Sequence, residues 1–224
     1  MSSELTLVEK FILLTRHPEK SRLLVAGTQL WYGIAGALLM EMSLQKRIEI
    51  EDGKVVLKND KKISDPMISE IVEMMRQSGK NRKIRYWTDR IYRKANRYKK
   101  EIIGGMERKG LLSIERKRFL FIPYTLTFLR DRRTRDKLIR HLRKAVLYPS
   151  TVEVTQEDVV LLGLVEATKM YKVMASNKDE LKKLKKELKE VIKDSPIAGV
   201  VDKTIKDVQA AIMVSTVIVG AGGR

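Results

Sequence analysis

The segment from Leu23 to Leu44 constrains the fold more than any other part of the chain. It is apolar over most of its length and carries Gly27, Gly33 and Gly36, small residues that let another helix approach its backbone closely. A helix that is apolar on all sides must be surrounded by other elements. The sequence therefore predicts that this segment is the buried central helix of a bundle.

Further helices are predicted where apolar residues recur at helical spacing. Several of their first residues follow capping residues: Ser3 or Thr6, the Ser64-Asp65-Pro66 run, and Asn177. The predicted helices cover residues 4–15, 66–78, 84–102, 131–147, 155–175, 177–194 and 203–219.

Two β-hairpins interrupt the helical pattern. Residues 47–58 alternate between apolar and polar around Asp52-Gly53, a dipeptide favoured where a two-residue turn needs positive φ. Residues 111–123 predict a second hairpin with Glu115 to Arg118 as a basic tip. Just before it, Gly104-Gly105 costs a helix about 1 kcal/mol per glycine relative to alanine, so we expect a helix contact or a bend there. We predict one mainly α domain over residues 1–224, a helical bundle with two β-hairpins.

Positive charge is concentrated in one region of the chain. The net charge is +18, and residues 80–144 alone contain 23 Lys and Arg against 6 Asp and Glu, a net +17. A field of this kind attracts polyanions. Both an anionic membrane leaflet and nucleic acid fit this expectation.

The helix predicted from Ile84 onward has one apolar and one cationic face. The apolar face holds Ile84, Trp87, Ile91, Ala95, Tyr98 and Ile102. The candidate residues for binding an anionic lipid headgroup are Arg90, Arg93, Arg97, Lys99 and Lys100. As an alternative, residues 80–123 superficially resemble a winged helix, which would place a helix in the major groove of DNA.

Residue types that catalysis and metal binding require are scarce. The chain has no Cys, and its two histidines are His17, before a proline, and His141, within a basic helix. No phosphate-binding glycine loop occurs. Glu41 lies in the apolar central segment and is expected to pair with Arg47 or a backbone amide. We therefore expect no enzyme activity, no cofactor and no metal site.

The chain carries no visible secretory signal, and no run reaches the ~20 apolar residues needed to span a bilayer. The longest apolar stretch, residues 210–223, is shorter than that. Any membrane contact is therefore expected from the water side, at the cytoplasmic face.

Four segments, in order along nearly the whole chain, resemble parts of a known family. They are LTLVEKFILL (residues 5–14), AGALLMEMSLQKRIEIEDGKVVL (35–57), KKEIIGGMERKGLLSIERKRFLFIPYTLT (99–127) and EDVVLLGLVEATKMYKVM (157–174). Their order and separation resemble those of the Golgi phosphoprotein 3 family, including its shorter prokaryotic relatives.

The resemblance implies a mostly helical, non-enzymatic domain that lies on a membrane and binds phosphatidylinositol 4-phosphate through a basic pocket. Eukaryotic members also act as adaptors for glycosyltransferases, which implies a client protein. In relatives, the segment equivalent to the second hairpin contributes to self-association and membrane contact, so a homo-oligomer is also implied. The corresponding residues are Arg116, Lys117, Arg118, Phe119 and Phe121.

The resemblance also places this chain's residues at the family's pocket positions. Ala26 and Ala35 stand where the family has a Trp and an Arg, and Asn96 and Lys99 stand where it has two further Arg. Trp31, five residues beyond Ala26 along a helix, is expected to point elsewhere. Positive charge is thus retained beside the second pair, while half of the pocket is missing.

Overall fold

The computed structural model describes residues 4–61 and 63–221, with side chains through residue 213. The described helices are α1 (Leu7–Thr15), α2 (Gly27–Leu44), α3 (Pro66–Ser78), α4 (Ile84–Tyr92), α5 (Ala95–Arg108), α6 (Arg132–Leu147), α7 (Gln156–Ala167), α8 (Lys178–Lys193) and α9 (Ala198–Ala221). The strands are β1 (Ile48–Glu51), β2 (Lys54–Leu57), β3 (Arg82–Lys83), β4 (Leu112–Phe119) and β5 (Ile122–Leu129). The predicted mainly α fold with two hairpins is confirmed.

Helix α2 is the centre of the bundle, as predicted, and packs against α1, α4, α7 and α9. Gly33 permits the closest approach, because a Cβ there would collide with the Phe11 ring of α1. Helix α2 begins at Gly27 rather than Leu23, since the preceding segment forms a loop in which Arg16 and Leu23 make a backbone β-bridge. Gly27 consequently lies exposed at the start of the helix instead of in a helix contact.

Local capping explains several of the helix ends. Thr6 and Glu9 form a capping box that starts α1 three residues later than predicted. The Asp65 carboxylate accepts two backbone hydrogen bonds at the start of α3, and Gly79 ends that helix, both as predicted. Helix α7 ends at Ala167 rather than residue 175, because Lys169 takes positive φ and a 3-10 turn follows. Helix α9 begins five residues earlier than predicted.

The single amphipathic helix predicted from Ile84 onward is wrong, because two helices occupy this region. Helix α4 ends at Tyr92 and α5 begins at Ala95. The residues predicted to face the core are nevertheless all buried. Helix α5 continues without a break through Gly104-Gly105, where an added Cβ would meet only the Arg108 guanidinium at 3.7–3.9 Å. The bend or helix contact expected at this glycine pair is therefore not found.

The two sheets are small and antiparallel. Strands β1 and β2 pair across the Asp52-Gly53 turn as predicted, and β3 adds to the other edge of β2. Strands β4 and β5 pair from Leu112 opposite Leu129, both buried, to Phe119 opposite Ile122. This register makes the second hairpin longer than predicted. Its tip is Leu120-Phe121, not the basic residues of β4.

Glu41 lies inside the bundle without an ion pair to Arg47. The Arg47 guanidinium donates to Gln45 and to the Lys61 carbonyl instead. Burial raises the pKa of Glu41 to about 7, helped by the nearby carboxylates of Asp65, Glu157 and Glu9 and opposed by a hydrogen bond from the Val8 amide. The expectation of a backbone amide partner is thus confirmed, whereas the ion pair is wrong.

The substitution Glu41→Gln is expected to stabilise the protein at alkaline pH. Because the folded-state pKa is raised, the folded chain binds more protons than the unfolded chain between about pH 4.5 and pH 7, so wild-type stability falls as pH rises through this window. The variant should gain up to about 3 kcal/mol at pH 8 and little at pH 4.5. Thermal unfolding at both pH values measures this, and an equal gain at both would contradict it.

Candidate functional site

The outer half of the β4–β5 hairpin stands clear of the bundle. Every residue from 115 to 125 is exposed, so five residues of β4 and four of β5, roughly 14–17 Å of strand, project into solvent. The apolar side chains at its end are exposed by 67% (Phe119), 74% (Leu120), 95% (Phe121) and 67% (Ile122). A continuous apolar tip of this kind indicates a contact surface for an apolar partner.

The turn at the tip is strained. Leu120 and Phe121 both adopt positive φ, 44° and 68°. A two-residue turn with positive φ at both positions favours Asn-Gly, and a bulky residue there costs roughly 1–2 kcal/mol. The chain therefore keeps two large apolar side chains at a position where folding alone favours small polar ones.

Cations lie directly behind this apolar tip. Arg116, Lys117 and Arg118 of β4 are exposed, and Lys117 is paired with Glu115 at 3.0 Å. An apolar end followed by a cationic collar matches the profile of an anionic lipid leaflet, whose acyl region lies beneath its phosphates. A winged helix that contacts DNA would instead place its cations at the tip of the hairpin.

A second cationic feature, which we name the α2 recess, consists of Arg16, Trp31 and Lys99. The Arg16 side chain is only 5% exposed, its Nε has no hydrogen-bond partner, and within the described residues its guanidinium forms no ion pair. Burial lowers the Arg16 pKa to about 10, so the group stays charged at neutral pH. An unpaired buried cation is costly, and an anion supplied from outside would offset that cost.

Lys99 and the first turn of α2 complete the recess. The Lys99 ammonium lies 4.7 Å from the centre of the Trp31 ring, a cation–π contact, and burial followed by the Arg16 charge lowers its pKa. The Trp31 Nε1 lies 3.9 Å from where a Cβ on Gly27 would be. Ala26 at the N-cap has no side-chain oxygen that could accept a hydrogen bond from the backbone amides of the first turn. The recess therefore presents donors and positive charge at a helix N-terminus.

The hairpin and the recess are joined by the loop over residues 16–26. Ser21 Oγ in this loop accepts a hydrogen bond from the Thr127 amide of β5 at 2.8 Å. Arg132, just after β5, lies 3.6 Å from Glu19 of the same loop. Because Arg16 begins this loop and α2 follows it, the recess and the hairpin base belong to one side of the molecule.

The five cations predicted to form one binding face have different surroundings in the structure. Arg97 is paired with Glu70 of α3 and, at 3.6 Å, with Glu101, which neutralises much of its charge. The other four have different neighbours: Arg90 lies beside Tyr86, Arg93 is exposed at the end of α4, Lys99 lies over Trp31 and near Lys100, and Lys100 lines a cleft shared with Glu41. The predicted binding face therefore stays a prediction, and Lys99, which lies near both Arg16 and Lys100, also belongs to the α2 recess.

The structure also shows where the residues at the family's pocket positions lie. Ala35 is fully buried in the core, whereas Ala26 and Asn96 are exposed. Trp31 does not point elsewhere as expected, since it lies under Lys99. Sequence reasoning missed Arg16, whose only signal was a cation directly after the apolar run of α1.

Other polar groups serve structural roles. His141 Nε2 lies 2.9 Å from Asp158, which also accepts from the Thr155 amide and hydroxyl at the start of α7. Within the described residues, no group of three or more acidic or histidine side chains is arranged to hold a metal. Over that same part of the chain, no helix has the length and apolarity needed to cross a bilayer.

Comparison with known families matches residues 7–208 of this chain to the Golgi phosphoprotein 3 (GPP34) family. The match covers most of the chain, including α1, the hairpin and the recess. The chain therefore belongs to this family, as the resemblance predicted. The family is known for binding phosphoinositides at Golgi membranes and is a non-enzymatic, adaptor-type family.

Proposed function

We propose that this member of the Golgi phosphoprotein 3 family is a peripheral membrane protein that inserts its β4–β5 tip into an anionic leaflet and holds a lipid phosphate in the α2 recess. The observation that carries this proposal is the exposed, strained tip from Phe119 to Ile122 with Arg116, Lys117 and Arg118 behind it. Membrane insertion explains why these side chains are kept at the turn.

The free energies of apolar transfer and of charge attraction favour this arrangement. Moving an exposed Phe, Leu or Ile side chain from water into an apolar phase is worth roughly 1.5–3 kcal/mol. Each cation near an anionic surface adds about 1 kcal/mol. A tip of four apolar residues with three cations thus supplies enough free energy for reversible attachment.

The α2 recess supports recognition of a headgroup phosphate. Buried Arg16 and half-buried Lys99 carry charge without an ionic partner in the described residues, and a guanidinium can donate two parallel hydrogen bonds to a phosphomonoester. We propose phosphatidylinositol 4-phosphate, or another phospholipid with an exposed phosphate, as the ligand. Arg116, Lys117, Arg118, Phe119 and Phe121 are the proposed membrane-contact residues.

The partners and location follow from the same proposal. Attachment would be at the cytoplasmic face of a membrane, without catalysis, with the remainder of the bundle free to carry a client protein. The apolar tip is also suited to self-association when no membrane is present, because exposed apolar patches favour burial against a second copy.

Co-sedimentation with vesicles tests the proposed function. We expect negligible binding to neutral lipid, binding to vesicles that contain phosphatidylserine, and about tenfold tighter binding when phosphatidylinositol 4-phosphate replaces phosphatidylserine at matched charge. Duplex DNA is included as a competitor. Absence of vesicle binding together with tight DNA binding would overturn the proposal in favour of a nucleic-acid-binding protein.

A further inference from the structure

We propose that the chain has a second phosphate-binding site, distinct from the membrane-facing hairpin and recess, which binds a compact anion carrying two or more phosphoryl groups. We name it the corner site, because the β1–β2 turn, β3, α4 and α9 meet there. It consists of Lys54, Arg82, Lys83, Arg85 and Lys203. All five residues are exposed, and none belongs to the β4–β5 hairpin or to the α2 recess.

Cross-strand pairing brings two of these cations together. Lys54 of β2 lies directly opposite Lys83 of β3 in the antiparallel register. Like charges placed opposite each other on neighbouring strands are destabilising. Neither side chain forms an ion pair within the described residues, although Asp207 of α9 lies near Lys83 and Glu51 of β1 lies opposite Lys54.

A third cation reaches the same corner from α9. The Lys203 ammonium lies against Gly53, so closely that a Cβ at this position would collide with it. Gly53 also has φ of 77°, which favours glycine. The turn that joins β1 and β2 is therefore shaped so that Lys203 can approach Lys54.

The acidic groups around the corner do not balance these charges. Asp207 of α9 accepts a hydrogen bond from the Arg85 amide and lies near Lys83, Arg85 and Lys203. Asp89 lies 4.0 Å from the Arg85 guanidinium and also accepts from the Tyr32 hydroxyl. Glu51, directly opposite Lys54 on β1, is paired with Lys58, and Asp52 lies in the β1–β2 turn. The charged residues that line the cleft at this corner are four cations, Lys54, Arg82, Lys83 and Arg85, and one carboxylate, Asp89, a net charge of +3.

This charge and the shape of the corner point to clustered phosphoryl groups. Lys54, Arg82, Lys83 and Arg85 line a cleft of about 490 Å³ together with Tyr86, which is within the usual range for small-molecule sites. A phosphoryl group carries roughly −1.5 to −2 charges, so two of them match the excess of positive charge. Arginine guanidinium groups suit phosphoryl oxygens because they donate in pairs.

The corner site and the hairpin are attached to the bundle through different elements. Lys203 is next to Thr204, whose hydroxyl contacts Met40 near the C-terminus of α2, whereas the hairpin base is anchored to the loop before α2. The corner site is therefore separate from the hairpin base in the fold.

Calorimetric titration with inorganic tripolyphosphate tests this proposal. We compare the wild type with Lys54→Gln/Lys83→Gln and with a matched control, Lys182→Gln/Lys186→Gln, which removes two exposed cations from α8. We expect the first variant to bind at least about tenfold more weakly and the control to stay within about twofold of the wild type. Equal weakening of both variants would overturn the proposal, and so would wild-type protein that binds neither tripolyphosphate nor vesicles bearing a bisphosphorylated inositol lipid.

Two further readouts separate this site from membrane binding and from misfolding. Without ligand, Lys54→Gln/Lys83→Gln should raise Tm by about 1–3 °C, because the cross-strand repulsion is removed, and a fall in Tm would contradict the argument. Its binding to phosphatidylserine vesicles should equal that of the control. If selective loss occurs with vesicles bearing a bisphosphorylated inositol lipid but not with tripolyphosphate, the phosphoryl groups come from a lipid and the site still stands.

Discussion

The double substitution Leu120→Asn/Phe121→Gly should lower vesicle binding by roughly 100-fold or more while leaving the protein at least as stable as the wild type. The loss follows from removing two exposed apolar side chains, each worth roughly 1.5–3 kcal/mol on transfer out of water. Both residues are more than two-thirds exposed in the free protein and form the tip of the β4–β5 hairpin. Co-sedimentation with phosphatidylserine vesicles measures the effect.

Stability should move in the opposite direction to binding. Asn-Gly suits a turn whose two central residues have positive φ, so the change relieves strain at Leu120 and Phe121. We therefore expect an equal or higher Tm and an unchanged helical circular dichroism spectrum. This combination distinguishes membrane insertion from a purely structural role of the hairpin, for which binding and Tm would change together.

The matched control for this variant is Tyr148→Ser. Tyr148 is 55% exposed and follows α6, about 24 Å along that helix from the end next to the hairpin. Its loss should leave vesicle binding within about twofold of the wild type. Equal losses in the two variants would show that exposed apolar residues act without regard to position, which contradicts insertion through the tip.

Features set by local chemistry could be predicted from the sequence. The N-caps at Asp65 and Asn177 and the Asp52-Gly53 turn lie where the residue patterns placed them, because these signals act within a few residues. The break between α4 and α5 has no such signal, since neither Gly nor Pro lies there. In the structure, Lys94 reaches Glu70 of α3 at 2.8 Å, a tertiary contact that the sequence pattern does not reveal.

The candidate site shows the same contrast between features set by local sequence and features set by tertiary contacts. Phe119, Phe121 and the cations of β4 were identified because they are consecutive in sequence. Arg16 and Trp31 were missed because their proximity to Lys99 depends on the loop over residues 16–26, which brings the end of α1 beside the start of α2. A regional count of charge could not separate Lys99 from Arg97, whose partner Glu70 lies on another helix.

The substitution Arg16→Met should abolish the preference for a lipid phosphomonoester and stabilise the protein. Methionine preserves much of the buried alkyl chain but removes the charge, so the charge-assisted hydrogen bonds to a phosphate are lost. Such bonds are worth roughly 1.5–3 kcal/mol, or about 10–100-fold in affinity. Vesicles with phosphatidylinositol 4-phosphate and vesicles with phosphatidylserine at matched charge should then bind equally well.

The change in stability and a control variant distinguish the role of Arg16 from general electrostatic attraction to the membrane. Because the guanidinium is 5% exposed and its Nε is unpartnered, its removal should raise Tm. Arg93→Met removes an exposed cation at the end of α4, and we expect it to weaken binding to both kinds of vesicle slightly and equally. If Arg16→Met behaves in the same way as Arg93→Met, the α2 recess does not hold the headgroup, and attachment depends on the hairpin and diffuse charge alone.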